Sequence, residues 1–142
     1  MRNQLLFIPL FLAATTACES AATTNENFAG YYRGILELQE DTCSLGVPRR
    51  MDIDFSVAQV GQSVSVELPN GETMEGVARS DSFTVTTTYP GSNGLTIVTT
   101  SLIADEVTPT DAFVTREFST RSTLDGSECL VVNTGYVIRE SE

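Results

Sequence analysis

The chain has 142 residues, enough for one domain, and sets nineteen Asp and Glu against eight basic residues, for a formal net charge of -11. All the basic residues are Arg; with no His or Lys there is no Ser-His, Cys-His or Ser-Lys pair, no Schiff base and no imidazole for zinc or iron, so the chain reads as non-enzymatic and without a cofactor. The negative charge opposes binding to DNA, RNA or anionic lipid and suits either solubility or a cationic partner.

Residues 1–17 have the layout of a secretory signal. Arg2 is a short positive region. Leu5, Leu6, Phe7, Ile8, Leu10, Phe11 and Leu12 form an apolar run broken only by Pro9. That run is well short of the ~20 residues a spanning helix needs. Small residues follow, Thr15, Thr16 and Ala17, and then Cys18. Small residues directly before a cysteine at the end of a signal resemble the lipobox of bacterial lipoproteins, although Thr15 stands where that family usually has Leu. The resemblance implies that Cys18 is acylated and becomes the mature N-terminus. It places the remainder in the bacterial cell envelope, lipid-anchored, at the outer membrane facing the periplasm. Residues 18–27 are small, polar and aperiodic, as a flexible tether would be.

From Phe28 to the end of the chain Val, Thr, Ile, Phe and Tyr dominate, and turn residues recur about every ten positions, as in an all-β sandwich or barrel. Eight strands are predicted, over residues 31–40, 51–60, 63–68, 73–79, 82–89, 95–103, 111–121 and 129–139. In the first, Tyr32, Gly34, Leu36 and Leu38 share a face. In the second, Met51, Ile53, Phe55 and Val57 alternate with Asp52, Asp54 and Ser56. Asn70-Gly71 predicts a tight hairpin between the third and fourth, because a type I′ turn needs positive φ at both central residues. Strand seven sets Ala112, Val114, Arg116 and Phe118 against Phe113, Thr115, Glu117 and Ser119, so either face brings one charge inward.

Eight sequential strands on mostly short turns predict an antiparallel up-and-down meander, and closing it into a barrel removes both edges. A two-sheet β-sandwich is the alternative. With Cys18 lipidated, Cys43 and Cys129 remain as a pair in an oxidising compartment. In a closed barrel the end of strand one and the start of strand eight meet at one rim. A Cys43–Cys129 disulfide would pin that seam.

The first strand opens Phe28-Ala29-Gly30-Tyr31-Tyr32. An aromatic followed by G-x-[WY] at the start of an eight-stranded barrel resembles the calycin superfamily of lipocalins, avidins and fatty-acid-binding proteins. Tyr replaces the usual Trp. The resemblance covers these positions and the strand count only. It implies that Gly30 and Tyr32 close one end of the barrel and that Arg139, late in strand eight, packs over Tyr32.

Few residues stand out for chemistry. Asp52 and Asp54 could share a divalent cation with a third oxygen ligand, but a solvated outer face is the plainer reading. Tyr31, Tyr89 and Tyr136 are rim or mouth candidates. Arg116, if inward, needs an anionic partner, which could be a ligand carboxylate, a structural acid or water at the rim. The expected function is a binding module for a small apolar or amphiphilic ligand. The alternative is a protein-interaction module, such as an inhibitor of a cationic envelope hydrolase. Interior volume separates them: Gly34, Gly76, Ala78 and Thr87 suggest space, whereas Leu36, Phe55 and Phe83 would fill it.

Overall fold

A computed structural model describes residues 26–140. The signal layout, Cys18 and most of the tether lie outside these residues. The described chain is all β, with eight strands: β1 (Gly30–Asp41), β2 (Arg50–Val60), β3 (Ser63–Glu67), β4 (Thr73–Arg79), β5 (Ser82–Pro90), β6 (Thr96–Asp105), β7 (Asp111–Ser122) and β8 (Glu128–Glu140). Each pairs antiparallel with the next, and β1 also pairs with β8, so the meander closes into a barrel. The sandwich alternative is thereby set aside.

The period-2 pattern decides which face turns inward. Tyr32 and Leu36 of β1, Ile53, Phe55 and Val57 of β2, Val64 and Val66 of β3, and Phe83 and Val85 of β5 are buried. Their sequence neighbours carry the outward charges, among them Arg33, Glu37, Asp52, Glu67 and Glu75. An apolar interior under a charged outer face is the reverse of a transmembrane barrel, which shows lipid an apolar band.

Turn chemistry places the strand ends. Gly61 and Gly71 take positive φ in the β2–β3 and β3–β4 turns. The β3–β4 hairpin is short for a specific reason. Gly71 N–H bonds the Leu68 carbonyl and Leu68 N–H bonds the Glu72 carbonyl, so the chain reverses immediately after Glu67. Pro69, with no N–H, cannot extend the ladder.

Barrel closure is held at both ends. At one rim Cys43 and Cys129 are bonded, with Cα atoms 4.9 Å apart. Beside them, Thr42 N–H donates to the Leu130 carbonyl at 2.9 Å and Leu130 N–H donates to Thr42 Oγ1 at 2.7 Å. At the other rim Gly30 has φ 152°, and a Cβ there would lie 2.8 Å from the Glu140 carbonyl, so glycine alone lets β8 approach. Gly76 serves the same purpose in mid-strand: its Cβ would lie 1.8 Å from the Thr84 carbonyl of β5.

Candidate functional site

The two ends of the barrel differ in how they are filled. The end at the start of β1 is plugged. Tyr32 is fully buried, stacks on Phe55 with ring centroids 5.0 Å apart, and meets Phe83 edge-on at 6.1 Å. Its hydroxyl donates to the Phe28 carbonyl at 2.7 Å, and Phe28 itself packs on Phe83. Burial pushes the Tyr32 phenol up to about 12, only partly offset by the nearby Arg139 cation.

Arg139 lies over the Tyr32 ring, its guanidinium carbon 5.7 Å from the centroid. It donates to the Thr108 carbonyl at 3.0 Å, to the Ala29 carbonyl at 3.1 Å and to the Asn27 carbonyl. One side chain thus ties the entry segment, the β6–β7 loop and β8 together. Glu26 and Asn27 are drawn into the same network, since Gln59 donates to the Glu26 carbonyl at 2.9 Å. Gly30, Tyr32 and Arg139 therefore lie together at this rim, packed with Phe28, Phe55 and Phe83.

The other half of the barrel keeps a cavity of about 250 Å³. Its apolar wall includes Met51, Ile53, Leu68, Met74 and Leu102; Asp52, Asp54, Asn70, Thr100 and Arg116 supply polar groups, so two carboxylates share the lining with one cation. The cavity opens through a gap in the barrel wall. The β2–β3 ladder stops at Ser56↔Glu67, whereas β2 continues back to Arg50 paired with β1 alone. Residues 51–54 of β2 and residues 68–70 of the β3–β4 turn line this opening. The early reversal after Glu67 creates it.

Arg116 points into this half of the barrel, because Ala112 and Val114 on the same face of β7 are fully buried. It pairs in register with Leu102 of β6 and with Asn133 of β8. Arg116 has no ion pair or hydrogen bond among the described residues; the ion pair they do contain, Arg33–Glu140 at 2.8 Å, is on the outer surface. Asn133 is fully buried, and neither its Oδ1 nor its Nδ2 has a hydrogen-bond partner in the protein. A group of this kind costs roughly 1–3 kcal/mol of desolvation when nothing answers it.

Other candidates fall on the outside. Asp54, at the edge of the opening, accepts a hydrogen bond from the outward Tyr31 at 2.7 Å, which raises the Tyr31 pKa. Among the described residues no group of three or more carboxylates or cysteines is placed to hold a metal. Tyr136 is exposed on the outer face of β8 against Phe113, and Tyr89 lies half-exposed at the disulfide rim. A larger hollow of about 570 Å³ lies on the outer side of β5–β8, lined mainly by outward hydroxyls such as Thr88, Thr99 and Ser119. The inward glycine Gly76 does not widen the interior, since its missing Cβ is taken up by the neighbouring strand.

Asn133 and Thr100 were not marked by any motif. The signal for Asn133 is positional: it shares the inward parity of Val131, Gly135 and Val137, where an amide is out of place. No protein-family profile matches the chain, and a search of curated proteins finds no match.

Proposed function

We propose that this domain is a non-enzymatic, membrane-tethered binding module for a small apolar or amphiphilic molecule, anchored in the bacterial envelope by a lipid on Cys18. The observation that supports it is the asymmetry of the interior: aromatic rings fill one end, while the other keeps a cavity with a largely apolar wall, the inward cation Arg116, and Asp52 and Asp54 along its opening. At about 250 Å³ the cavity is close to the ~300 Å³ lower end of ligand sites. At the ~30 Å³ that each liquid water occupies, it is worth roughly eight waters. A short-chain molecule fits that space and a diacyl lipid does not. Titration with the neutral fluorophore N-phenylnaphthylamine is expected to give saturable one-site binding, lost when Leu102→Trp fills the cavity. Absence of saturable binding would overturn the reading.

The tether makes a separate prediction. Cys18→Ser should move the protein from the membrane fraction to the soluble fraction. Mass spectrometry of the wild-type chain should show an N-terminal cysteine carrying acyl groups. An unmodified mature chain would remove the anchor from the proposal.

The second reading, docking to a cationic envelope hydrolase, draws on the net charge of -11 and the acidic side chains outside the barrel. Capture of a basic protein that fades with ionic strength would favour it.

A further inference from the structure

We infer that the open edge of β2 beside the cavity takes an extended, cationic segment of a partner protein as an added antiparallel strand, with basic and apolar residues alternating along it. This rests on the cationic-partner reading above and names the surface and the kind of segment that fits it.

The short β3–β4 hairpin leaves a notch in the barrel wall with two bare lips. On one side the β2–β3 ladder ends at Ser56↔Glu67, so residues 50–55 of β2 pair with β1 alone. On the other side the β4–β5 ladder ends at Glu75↔Thr86, so residues 87–90 of β5 pair with β6 alone. Backbone direction alternates along an antiparallel strand. Leu38 N–H donates to the Arg49 carbonyl at 2.8 Å, which turns the backbone groups of residues 49, 51, 53 and 55 toward β1. Those of Arg50, Asp52 and Asp54 therefore point into the notch, and among the described residues no backbone bond from a turn or loop reaches them. A bare edge of this kind is a template for another strand.

Charge separates the two lips. The β5 lip carries no charged residue over 87–90 and ends in Pro90, which has no N–H to offer. The β2 lip sets Asp52 and Asp54 along its outer side, with the exposed Glu67 at the end of β3. The Asp52 carboxylate has no ion pair or hydrogen bond among the described residues. Arg50, the basic residue of this edge, stands opposite Glu37 of β1. Residues of an added strand that oppose Asp52 and Asp54 would have Cβ atoms roughly 5 Å from theirs, so lysine or arginine fits there. The residues between them face inward, over the cavity of about 250 Å³ walled by Met51, Ile53, Leu68 and Met74, which covers an apolar side chain. The edge over residues 50–55 gives about 20 Å of pairing. A second copy of the chain fits less well: each carries a formal net charge of -11, and two β2 edges paired about Asp52 would oppose like charges.

The test is calorimetric titration of the purified protein with a capped hexapeptide that alternates lysine and valine. Saturable one-to-one binding is expected. In antiparallel pairing the outward residues of the peptide turn their backbone toward β2, so N-methylation at the lysines should abolish binding and N-methylation at the valines should leave it. Asp52→Asn combined with Asp54→Asn should weaken binding about tenfold, the scale of two cross-strand charge pairs, with an unchanged circular dichroism spectrum. Salt-sensitive binding that tolerates both methylated peptides equally would overturn strand addition and leave the cationic-partner reading standing. Absence of peptide binding would overturn the inference. A dimer of the unliganded protein in sedimentation, dissociated by the peptide, would give the edge to a second copy and overturn it as well.

Discussion

Reduction of the Cys43–Cys129 bond is expected to lower the melting midpoint by roughly 15–20 °C. The two residues are 86 positions apart. In the chain-entropy view, cross-linking so long a loop removes unfolded conformations worth about 4.5 kcal/mol, and a domain of this size shifts by about 4 °C per kcal/mol. The native seam does not depend on the sulfurs alone. Thr42 and Leu130 exchange hydrogen bonds beside them, and β1 and β8 pair along much of their length. The loss should therefore come mainly from the unfolded state. A Cys43→Ser/Cys129→Ser variant is expected to keep the same circular dichroism at low temperature while melting as low as the reduced protein. A shift below about 5 °C would contradict this account, as would a collapse of the cold spectrum.

Tyr32 is the second position where a large effect is expected. Tyr32→Ala removes a fully buried ring that contacts both Phe55 and Phe83, and should cost about 3–5 kcal/mol, in the range of large aromatic truncations. Tyr32→Phe keeps the ring and loses only the bond to the Phe28 carbonyl, so about 1–3 kcal/mol is expected from the carbonyl left unanswered. The two variants also differ in alkaline behaviour. Burial raises the Tyr32 pKa from the ordinary 10.0 to about 12 in the folded protein. The folded state holds that proton more tightly than the unfolded chain does. Tyr32's contribution is therefore whole below pH 10 and is lost as pH rises toward 12. Denaturant titrations between these limits should show a steeper alkaline loss for wild type than for Tyr32→Phe. Equal slopes would mean that the phenol does not titrate with unfolding.

Much of the architecture was already legible in the residues. Alternation such as Met51-Asp52-Ile53-Asp54-Phe55 sets the faces of a strand by its period of two, and the eight strands begin and end within one or two residues of their predicted bounds. Glycines such as Gly61 and Gly71 mark reversals because they accept positive φ, although Asn70 does not take it, so the β3–β4 turn is not the expected type I′. The even strand count then brings Cys43 and Cys129 to one rim, where they bond.

The candidate site was less legible, because it arises from differences between strands that are far apart in sequence. Strand seven carries a charge on either face, so its own pattern could not say whether Arg116 or Glu117 points inward; pairing with β6 and β8 turned Ala112 and Val114 to the core and carried Arg116 with them. Gly76 looked like a source of interior space, but only the approach of the Thr84 carbonyl shows that it admits a neighbouring backbone instead. The gap beside β2 exists because β3 reverses after Glu67 while β2 runs on to Arg50. By itself, then, the sequence determined the strands and most of their faces, since turn preferences and period-two burial are local, but left barrel and sandwich both open until β1 paired with β8. Tertiary structure alone decided the opening, the inward cation and its amide neighbour, since register and unequal strand lengths are settled only when distant strands pair.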